Sequence, residues 1–234
     1  MFLHKSLIFI IHNMKNNYSD RRSQLSRKVL EDSAIIVGSA SVKSRISDTE
    51  YPYRQDSNFY YLSGYEEPES LILLRPNHDK EKFVIFCRDR DPFREQWDGI
   101  RSGQEGAVKD YGADLAFSIN SLDELMPNLL EGTKNIYFSM SAPCGVDKKI
   151  AQWVEDIRKN TRAGAEPPQN LLSLDSILHE MRLFKEDYEM DLMKKAADIT
   201  TEAHIRAMQA VKPGMFEYQL EAEYLYAFNK NGAR

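Results

Sequence analysis

The sequence predicts an α/β layered fold, because strand-like and helix-like segments alternate along most of the chain. Five short runs rich in β-branched, Leu and aromatic residues are typical of strands, and two of them are nearly continuous apolar runs. Other segments repeat apolar residues at helical spacing. After about residue 175 only helical patterns remain. We therefore expect an α/β domain followed by a helical region.

The predicted strands are residues 34–38, 58–62, 70–74, 82–88 and 135–139. The predicted helices are residues 19–31, 104–111, 121–130, 146–160, 175–184, 185–211 and a last one that ends at Asn231-Gly232. Two of these helices carry explicit boundary signals. Gly112 closes the second helix, and Ser121 with Glu124 forms the pattern of a capping box at the start of the third.

The chain is predicted to contain four regions: a disordered or mis-called leader at 1–14, an α/β domain at 15–165, a linker at 166–174 and, at 175–234, the helical start of a truncated second domain. The linker is indicated by two prolines and no periodicity. Met14 precedes a polar stretch and a helix start, so the true start could be Met1 or Met14. In the last helix Phe216, Leu220, Tyr224 and Phe228 form an apolar stripe that needs a partner surface.

Composition excludes several classes of protein. Apolar residues make up 42% and charged residues 29% of the 234 residues, as in ordinary globular proteins. The net charge is −5, and acidic and basic residues are mixed along the chain, so the sequence shows no basic surface for binding nucleic acid. No apolar stretch approaches the length of a membrane span. Cys87 and Cys144 lie far apart without zinc-ligand spacing. We expect Cys87 to be a buried thiol, which fits a cytoplasmic location.

Residue patterns alone reveal no active site. A P-loop and a GxGxxG fingerprint are both missing, and His179-Glu180 is not part of an HExxH motif. His179 and His204 each stand alone on a predicted helix, where a structural or surface role is the common one. The acidic residues of the last helices fall on solvated faces. Catalytic and metal-ligating residues are therefore predicted to be absent from this chain.

Four segments nevertheless carry a family resemblance. Residues 51–69 (YPYRQDSNFYYLSGYEEPE) and 88–103 (RDRDPFREQWDGIRSG) are similar to hallmark stretches of the N-terminal domain of aminopeptidase P, the Xaa-Pro aminopeptidase. Residues 179–185 (HEMRLFK) resemble the entry into that family's catalytic domain. Residues 213–218 (PGMFEY), together with the closing NGAR, resemble its second helix. The match covers residues 19–234 in the family's order.

The resemblance implies a creatinase/prolidase-type N-terminal domain, a mixed sheet flanked by helices, followed by the first helices of a truncated pita-bread domain. It also implies two divalent metal ions, typically manganese, in the complete enzyme. There a metal-bridging hydroxide attacks the Xaa-Pro bond of a peptide with proline at the second position. The family's metal ligands follow the NGAR segment, so none is carried over, and this chain alone is expected to bind no metal and to be inactive.

One binding residue follows from the same resemblance. Trp97 is the candidate to reach toward the active site of a neighbouring subunit, which implies a homo-oligomer. The alternative is a tryptophan in the core or at a domain interface. Residues 51–64 are interpreted as structural, with a turn at Tyr-Pro-Tyr that leads into a strand and with Arg54 paired internally.

We therefore expect the N-terminal part of a cytoplasmic Xaa-Pro aminopeptidase, a metalloprotease. A non-catalytic assembly module and the front part of a prolidase-like hydrolase are the alternatives. The WDGIRSG segment favours aminopeptidase P over prolidase.

Overall fold

The computed structural model describes residues 17–140 and 145–233. The predicted leader at 1–14, Met14 and Cys144 lie outside these residues. The chain divides into two compact units, one running to His179 and the other starting at Glu180. The first unit holds all the strands of the described ranges, and the second consists of two long helices and their connections.

The first unit is built on a mixed six-stranded sheet. Its strands are β1 (Ser33–Gly38), β4 (Leu71–Leu74), β5 (Phe83–Cys87), β6 (Leu115–Ser118), β7 (Asn135–Phe138) and β8 (Asn170–Ser173). Their order across the sheet is β6-β5-β4-β1-β7-β8. The pairs β1–β4 and β4–β5 are antiparallel, and the others are parallel. The separate hairpin of β2 (Ser44–Ile46) and β3 (Thr49–Glu50) is exposed. The predicted α/β fold is confirmed.

The helices surround this sheet or follow it. Their bounds are α1 (residues 17–26), α2 (Ser57–Ser63), α3 (Glu95–Asp98), α4 (Gly103–Tyr111), α5 (Leu122–Leu130), α6 (Val146–Arg158), α7 (Asp175–Leu183), α8 (Asp187–Ala210) and α9 (Glu217–Lys230). None of the helices in the described ranges combines the length and the apolar character needed to cross a bilayer.

The core explains the apolar runs of the sequence, because β1, β4, β5 and β7 are buried along their whole length. Successive strand residues point to opposite faces. On one face Ile36, Leu73 and Phe86 pack in a cluster with α5 and α6, to which α6 contributes the fully buried Trp153. Ile35, Ile72 and Ile85 are equally buried, so both faces are covered.

Two arginines of α1 attach this helix to α2. Arg21 donates to the carbonyl of Tyr61 at 3.3 Å and Arg22 to that of Leu62 at 2.8 Å. These carbonyls belong to the last turn of α2, which lacks intrahelical donors and favours positive charge. The guanidinium carbon of Arg22 also lies 3.8 Å from the ring centroid of Phe83, and burial lowers the pKa of Arg22 to about 10. The two arginines thus hold α1 against α2 and the start of β5.

Three sequence predictions were wrong in detail. Residues 58–62 form helix α2 and no strand, since Asp56 Oδ1 accepts the N–H groups of Asn58 and Phe59 at 2.9 Å and Gly64 ends the helix with φ 66°. The capping box is absent, because the Ser121 hydroxyl donates to the carbonyl of Ser118 at 2.8 Å. The first helix ends at residue 26 and does not reach 31.

The stretch predicted as a linker, 166–174, contains β8. This strand is short and mostly exposed, and it pairs with β7 from Asn135↔Asn170 onward. The side-chain amide of Asn170 donates to Asn135 Oδ1 at 2.9 Å. An edge strand of four mostly exposed residues gives little periodicity, which is why its sequence resembles a linker. The proposed domain boundaries at 165 and 175 remain predictions.

The second unit contains α8 and α9, which pack on each other through small and aromatic residues. Ala203, Ala207 and Ala227 are buried, and the rings of His204 and Tyr224 meet edge to face at 5.0 Å. Arg206 pairs with Glu223 across the two helices. Within this unit the apolar stripe predicted for the last helix is only partly covered, because Phe216 is exposed and its three other members are half-buried.

Candidate functional site

The segment after β5, residues 88–103, exposes several large apolar side chains and is called the tryptophan loop below. It contains α3 and ends where α4 begins. Its apolar side chains project outward: Phe93 is 74%, Trp97 81% and Ile100 83% exposed. Large apolar side chains grouped in this way mark interaction surfaces. The alternative that Trp97 belongs to the core of the unit is therefore wrong.

The tip of the loop is ordered by its own charged residues. Arg90 makes a two-pronged contact with Glu95, with Nε–Oε1 at 2.6 Å and Nη2–Oε2 at 2.8 Å. Asp91 Oδ1 accepts the N–H groups of Phe93 and Arg94 at 3.1 Å each, which starts α3. The hydrogen bond from Arg90 lowers the pKa of Glu95, and the same contact raises the pKa of Arg90. Charge-assisted paired bonds of this kind fix geometry.

The base of the loop is tied to the neighbouring elements by Asp89. Its Oδ1 accepts from Gln104 Nε2 at 2.9 Å, and its Oδ2 accepts from the Ser118 hydroxyl at 2.7 Å. Its backbone carbonyl accepts from Arg101 Nη1 at 3.2 Å. Arg101 Nη2 also lies 3.7 Å from Asp98 Oδ2. Asp89 therefore joins the loop to α4 and to the end of β6.

A further tie comes from outside the loop. Glu67 Oε1 accepts the N–H of Ser102 at 2.6 Å, and Glu67 Oε2 lies 3.5 Å from Arg88 Nη2. Both side chains of the ion pair are mostly covered, with exposed fractions of 15% and 18%. Glu67 belongs to the turn before β4, so it links the two ends of the loop to the sheet.

Beneath the loop lies an aromatic and thiol layer. Tyr65 is fully buried, and its ring meets that of Tyr111 edge to face at 4.7 Å. Cys87 is a buried free thiol, as predicted, and burial raises its pKa to about 11. Burial likewise raises the pKa of Tyr65. A thiol that stays protonated is a poor nucleophile, so Cys87 has the character of a buried structural cysteine.

Residues 51–64, interpreted as structural, contribute to a surface groove of about 560 Å³ that is also lined by Ala40, Ser41 and Lys43. The Tyr53 hydroxyl donates to the carbonyl of Ala40 at 3.2 Å. Arg54 is paired internally, as predicted, donating to the Ser57 hydroxyl at 3.2 Å.

Gln55 is the central residue of this segment, because its Oε1 accepts the N–H groups of Ala40 and Asp56 at 2.9 and 2.8 Å. The predicted turn thus leads into α2, where a strand was expected.

The two histidines singled out in the sequence lie on α7 and α8. His179 lines a small cavity of about 180 Å³ at the end of β1, together with Asp56, Asn58 and Asp175. His204 is exposed on α8, with Nδ1 3.0 Å from the carbonyl of Thr200. Across residues 17–140 and 145–233, no three His, Cys, Asp or Glu side chains converge in a way that would hold a metal ion. The described residues therefore offer no set of ligands for the two metal ions that the resemblance implies for the complete enzyme.

Family resemblance pointed to Trp97 as a candidate, whereas the residues that order its loop escaped sequence reasoning. Glu67, Asp89 and the Arg90–Glu95 pair were not singled out, because ordinary charged residues in a polar stretch give no local signal. Only the three-dimensional contacts distinguish them from solvated surface charges.

Comparison with known proteins identifies relatives for almost the whole chain. Residues 18–137 match the family model "Aminopeptidase P, N-terminal domain", and residues 191–234 match "Metallopeptidase family M24". The Xaa-Pro aminopeptidase of Escherichia coli is 35% identical over 221 residues, which are 94% of this chain and 50% of the relative. That of Haemophilus influenzae is 34% identical, over 94% of this chain and 49% of the relative.

Solved structures give the same result. The aminopeptidase PepP of Pseudomonas aeruginosa superposes with a TM-score of 0.91 at 44% identity, covering 94% of this chain and 50% of that one. Proline aminopeptidase P II of Yersinia pestis gives a TM-score of 0.89 at 38% identity, covering 94% and 51%. The chain thus spans about half the length of the relatives it matches. The resemblance inferred from the four motifs is confirmed.

Proposed function

Because this chain belongs to the aminopeptidase P family, we propose that it is the N-terminal part of an Xaa-Pro aminopeptidase. Such an enzyme removes an N-terminal residue that precedes proline. The observation that carries this proposal is the match of residues 18–137 to the family's N-terminal domain. The names of the relatives, which include Xaa-Pro aminopeptidases from two bacteria, support the substrate class of peptides with proline at the second position.

In this proposal the metal chemistry belongs to a part of the enzyme other than this chain. The complete enzyme would use divalent metal ions, which we propose to be manganese, as Lewis acid and source of hydroxide. The described residues offer no converging set of ligands for such ions. This chain supplies the scaffold and a binding surface, and by itself it is proposed to have no peptidase activity.

The binding surface is the tryptophan loop. We propose that Trp97 reaches toward the active site of a neighbouring subunit in a homo-oligomer. Its exposed indole, on a loop fixed by Arg90–Glu95 at the tip and Asp89 at the base, supports this role. A rigid aromatic side chain contacts a partner at little cost in conformational entropy, and tryptophan is enriched among residues that dominate binding.

A non-catalytic module that modifies the assembly of a complete relative is the second candidate. The exposed apolar tip of the loop favours this candidate, because a docking surface can bind a partner without a catalytic domain. In either case we propose a cytoplasmic protein, in keeping with the unpaired thiol of Cys87.

A chimera tests the proposal directly. This chain would replace the matching half of the Escherichia coli enzyme, and hydrolysis of an Xaa-Pro peptide would be measured with Mn²⁺. Activity in the chimera, and none in the isolated chain under the same conditions, supports the proposal that this chain is the N-terminal part of such an enzyme and needs the second part for activity. A folded, oligomeric chimera without activity would contradict the enzymatic proposal and favour the assembly module.

A further inference from the structure

We propose that Glu67 is a positioning residue that holds the tryptophan loop in the orientation that presents Trp97. Any effect of Glu67 on catalysis rests on the proposed function of Trp97. The structural claim, that removing this carboxylate releases the loop as a whole, stands on the contacts of the chain and can be tested without any activity.

The first argument is topological. The loop begins at Arg88 and reaches Ser102 just before α4, and Glu67 contacts both residues through its two carboxylate oxygens. Asp89 and Glu95 are themselves part of the loop, whereas Glu67 lies 35 residues from Ser102 along the chain. One side chain from outside the loop therefore connects its two ends at the base.

The second argument is that Glu67 is itself immobilised. Its backbone carbonyl accepts from Gln55 Nε2 at 2.9 Å, and the same amide donates to the carbonyl of Tyr65 at 3.2 Å. Gln55 is in turn bonded through Oε1 to the N–H groups of Ala40 and Asp56. The chain of bonds runs from the segment after β1 through Gln55 to Glu67, and from there to the loop.

The third argument is electrostatic. The 2.6 Å bond from the Ser102 N–H to an ionised carboxylate is of the strong, charge-assisted kind. The guanidinium of Arg88 is mostly covered, and its Nε is buried without a hydrogen-bond partner among the described residues. Removing Glu67 would leave a covered positive charge uncompensated at the start of the loop, which favours an opened arrangement that exposes Arg88 to water.

Hydrogen–deuterium exchange of the isolated chain tests the proposal, with Glu67→Ala, Glu67→Gln and the control Glu66→Ala. Glu66 is the neighbouring carboxylate and is exposed. In Glu67→Ala the amides between Phe93 and Arg101 should exchange about tenfold faster, because the whole loop opens. Glu67→Gln keeps an acceptor for Ser102 and should show a smaller increase, of about threefold. Glu66→Ala should match the parent.

A spectroscopic readout sharpens the test. The chain has two tryptophans, so Trp153→Phe leaves Trp97 as the sole indole, and Glu67→Ala in that background should lower its fluorescence anisotropy. If only the Ser102 amide exchanges faster while Trp97 keeps its anisotropy, the proposal is overturned. Should Glu67→Ala fail to fold, Glu67→Gln decides by the same two readouts.

The chimera separates this proposal from that for Trp97. A loosened loop in Glu67→Ala, with activity unaffected by Trp97→Ala, would uphold the positioning role of Glu67 and contradict the role of Trp97. An unchanged loop in Glu67→Ala, with activity lost in Trp97→Ala, would contradict the role of Glu67 and uphold that of Trp97.

Discussion

The two tryptophans of this chain occupy opposite environments. Trp153 on α6 is 1% exposed, packs in the core cluster and donates its indole N–H to Asp123 Oδ1 at 3.0 Å. Trp97 on the tryptophan loop is 81% exposed. The first contributes to folding, since both its ring and its polar atom find partners within the unit. The second contributes nothing of this kind, although the loop around it is held by several charged contacts.

This contrast shows that the core and the loop are built on opposite principles. In the core, apolar side chains are covered and polar atoms are few. In the loop the arrangement is reversed, because charged residues form the framework and the apolar side chains face water. An exposed indole on an ordered framework is the arrangement expected of a surface that meets another molecule. Substitutions in the two regions should therefore separate stability from activity.

The largest effect is expected at the core tryptophan. Trp153→Ala removes a fully buried ring and leaves a cavity, so we expect a loss of about 3–5 kcal/mol in the free energy of unfolding. Urea denaturation followed by circular dichroism measures it. Trp153→Phe serves as the control, because it keeps most of the volume and should cost clearly less. Equal costs for both variants would show that the indole bond to Asp123, and not packing, dominates at this site.

A smaller effect is expected at the base of the loop. Gly103 has φ 60°, and a Cβ there would lie 2.7 Å from Arg90 Cγ. Gly103→Ala should therefore lower the free energy of unfolding by about 1–3 kcal/mol, through backbone strain and displacement of Arg90. Gly112→Ala is the matched control, since Gly112 has φ 71° with nothing within 4 Å of the added atom. If the two variants are equally stable, crowding of Arg90 plays no part.

At the exposed tip the effect on stability should be small. Trp97→Ala removes no buried contact within the unit, so we expect a change below about 1 kcal/mol in the free energy of unfolding. The same denaturation experiment measures it beside Trp153→Ala. A loss comparable with that of Trp153→Ala would mean that the indole is covered in solution, and the contrast between the two tryptophans would disappear.

The smallest effect is a dependence on pH. Arg90 lowers the pKa of Glu95 in the folded state, so their contact stabilises the fold above the ordinary pKa of a glutamate, about 4.3. This contribution is lost as the pH falls through the lowered pKa of the folded state. The stability difference between the parent and Glu95→Gln should therefore shrink on acidification from pH 7. A difference that stays constant would show that the charge of Glu95 is not involved.

Sequence patterns predicted the core well, because burial on both faces leaves a direct trace in the composition of β1, β4, β5 and β7. They were wrong at residues 58–62, where aromatic residues with high strand propensity form α2 since Asp56 and Gly64 supply its caps. They missed β6, β8 and the exposed hairpin of β2 and β3. Short strands and edge strands bury too few side chains to show a clear alternation of apolar and polar residues.

The candidate site was predictable only in part. Trp97 was singled out through family resemblance alone, since an isolated tryptophan in a polar stretch carries no physical sign of a function, and its role stays a prediction. The contacts of Glu67 with Arg88 and Ser102 depend on how the turn before β4 meets the loop after β5, which no local pattern encodes. The expectation that the metal ligands of the complete enzyme follow the NGAR segment also came from resemblance.

The most direct test of the role of the loop compares Trp97→Ala with the parent in the chimera that joins this chain to the second half of the Escherichia coli enzyme. The melting temperature and the kcat/KM for an Xaa-Pro peptide are measured on the same samples. We expect an unchanged melting temperature and a kcat/KM at least about tenfold lower, because in the proposed role the indole reaches toward a neighbouring active site and does not support the fold. An unchanged kcat/KM, or a loss of activity that parallels a fall in melting temperature, would contradict this role.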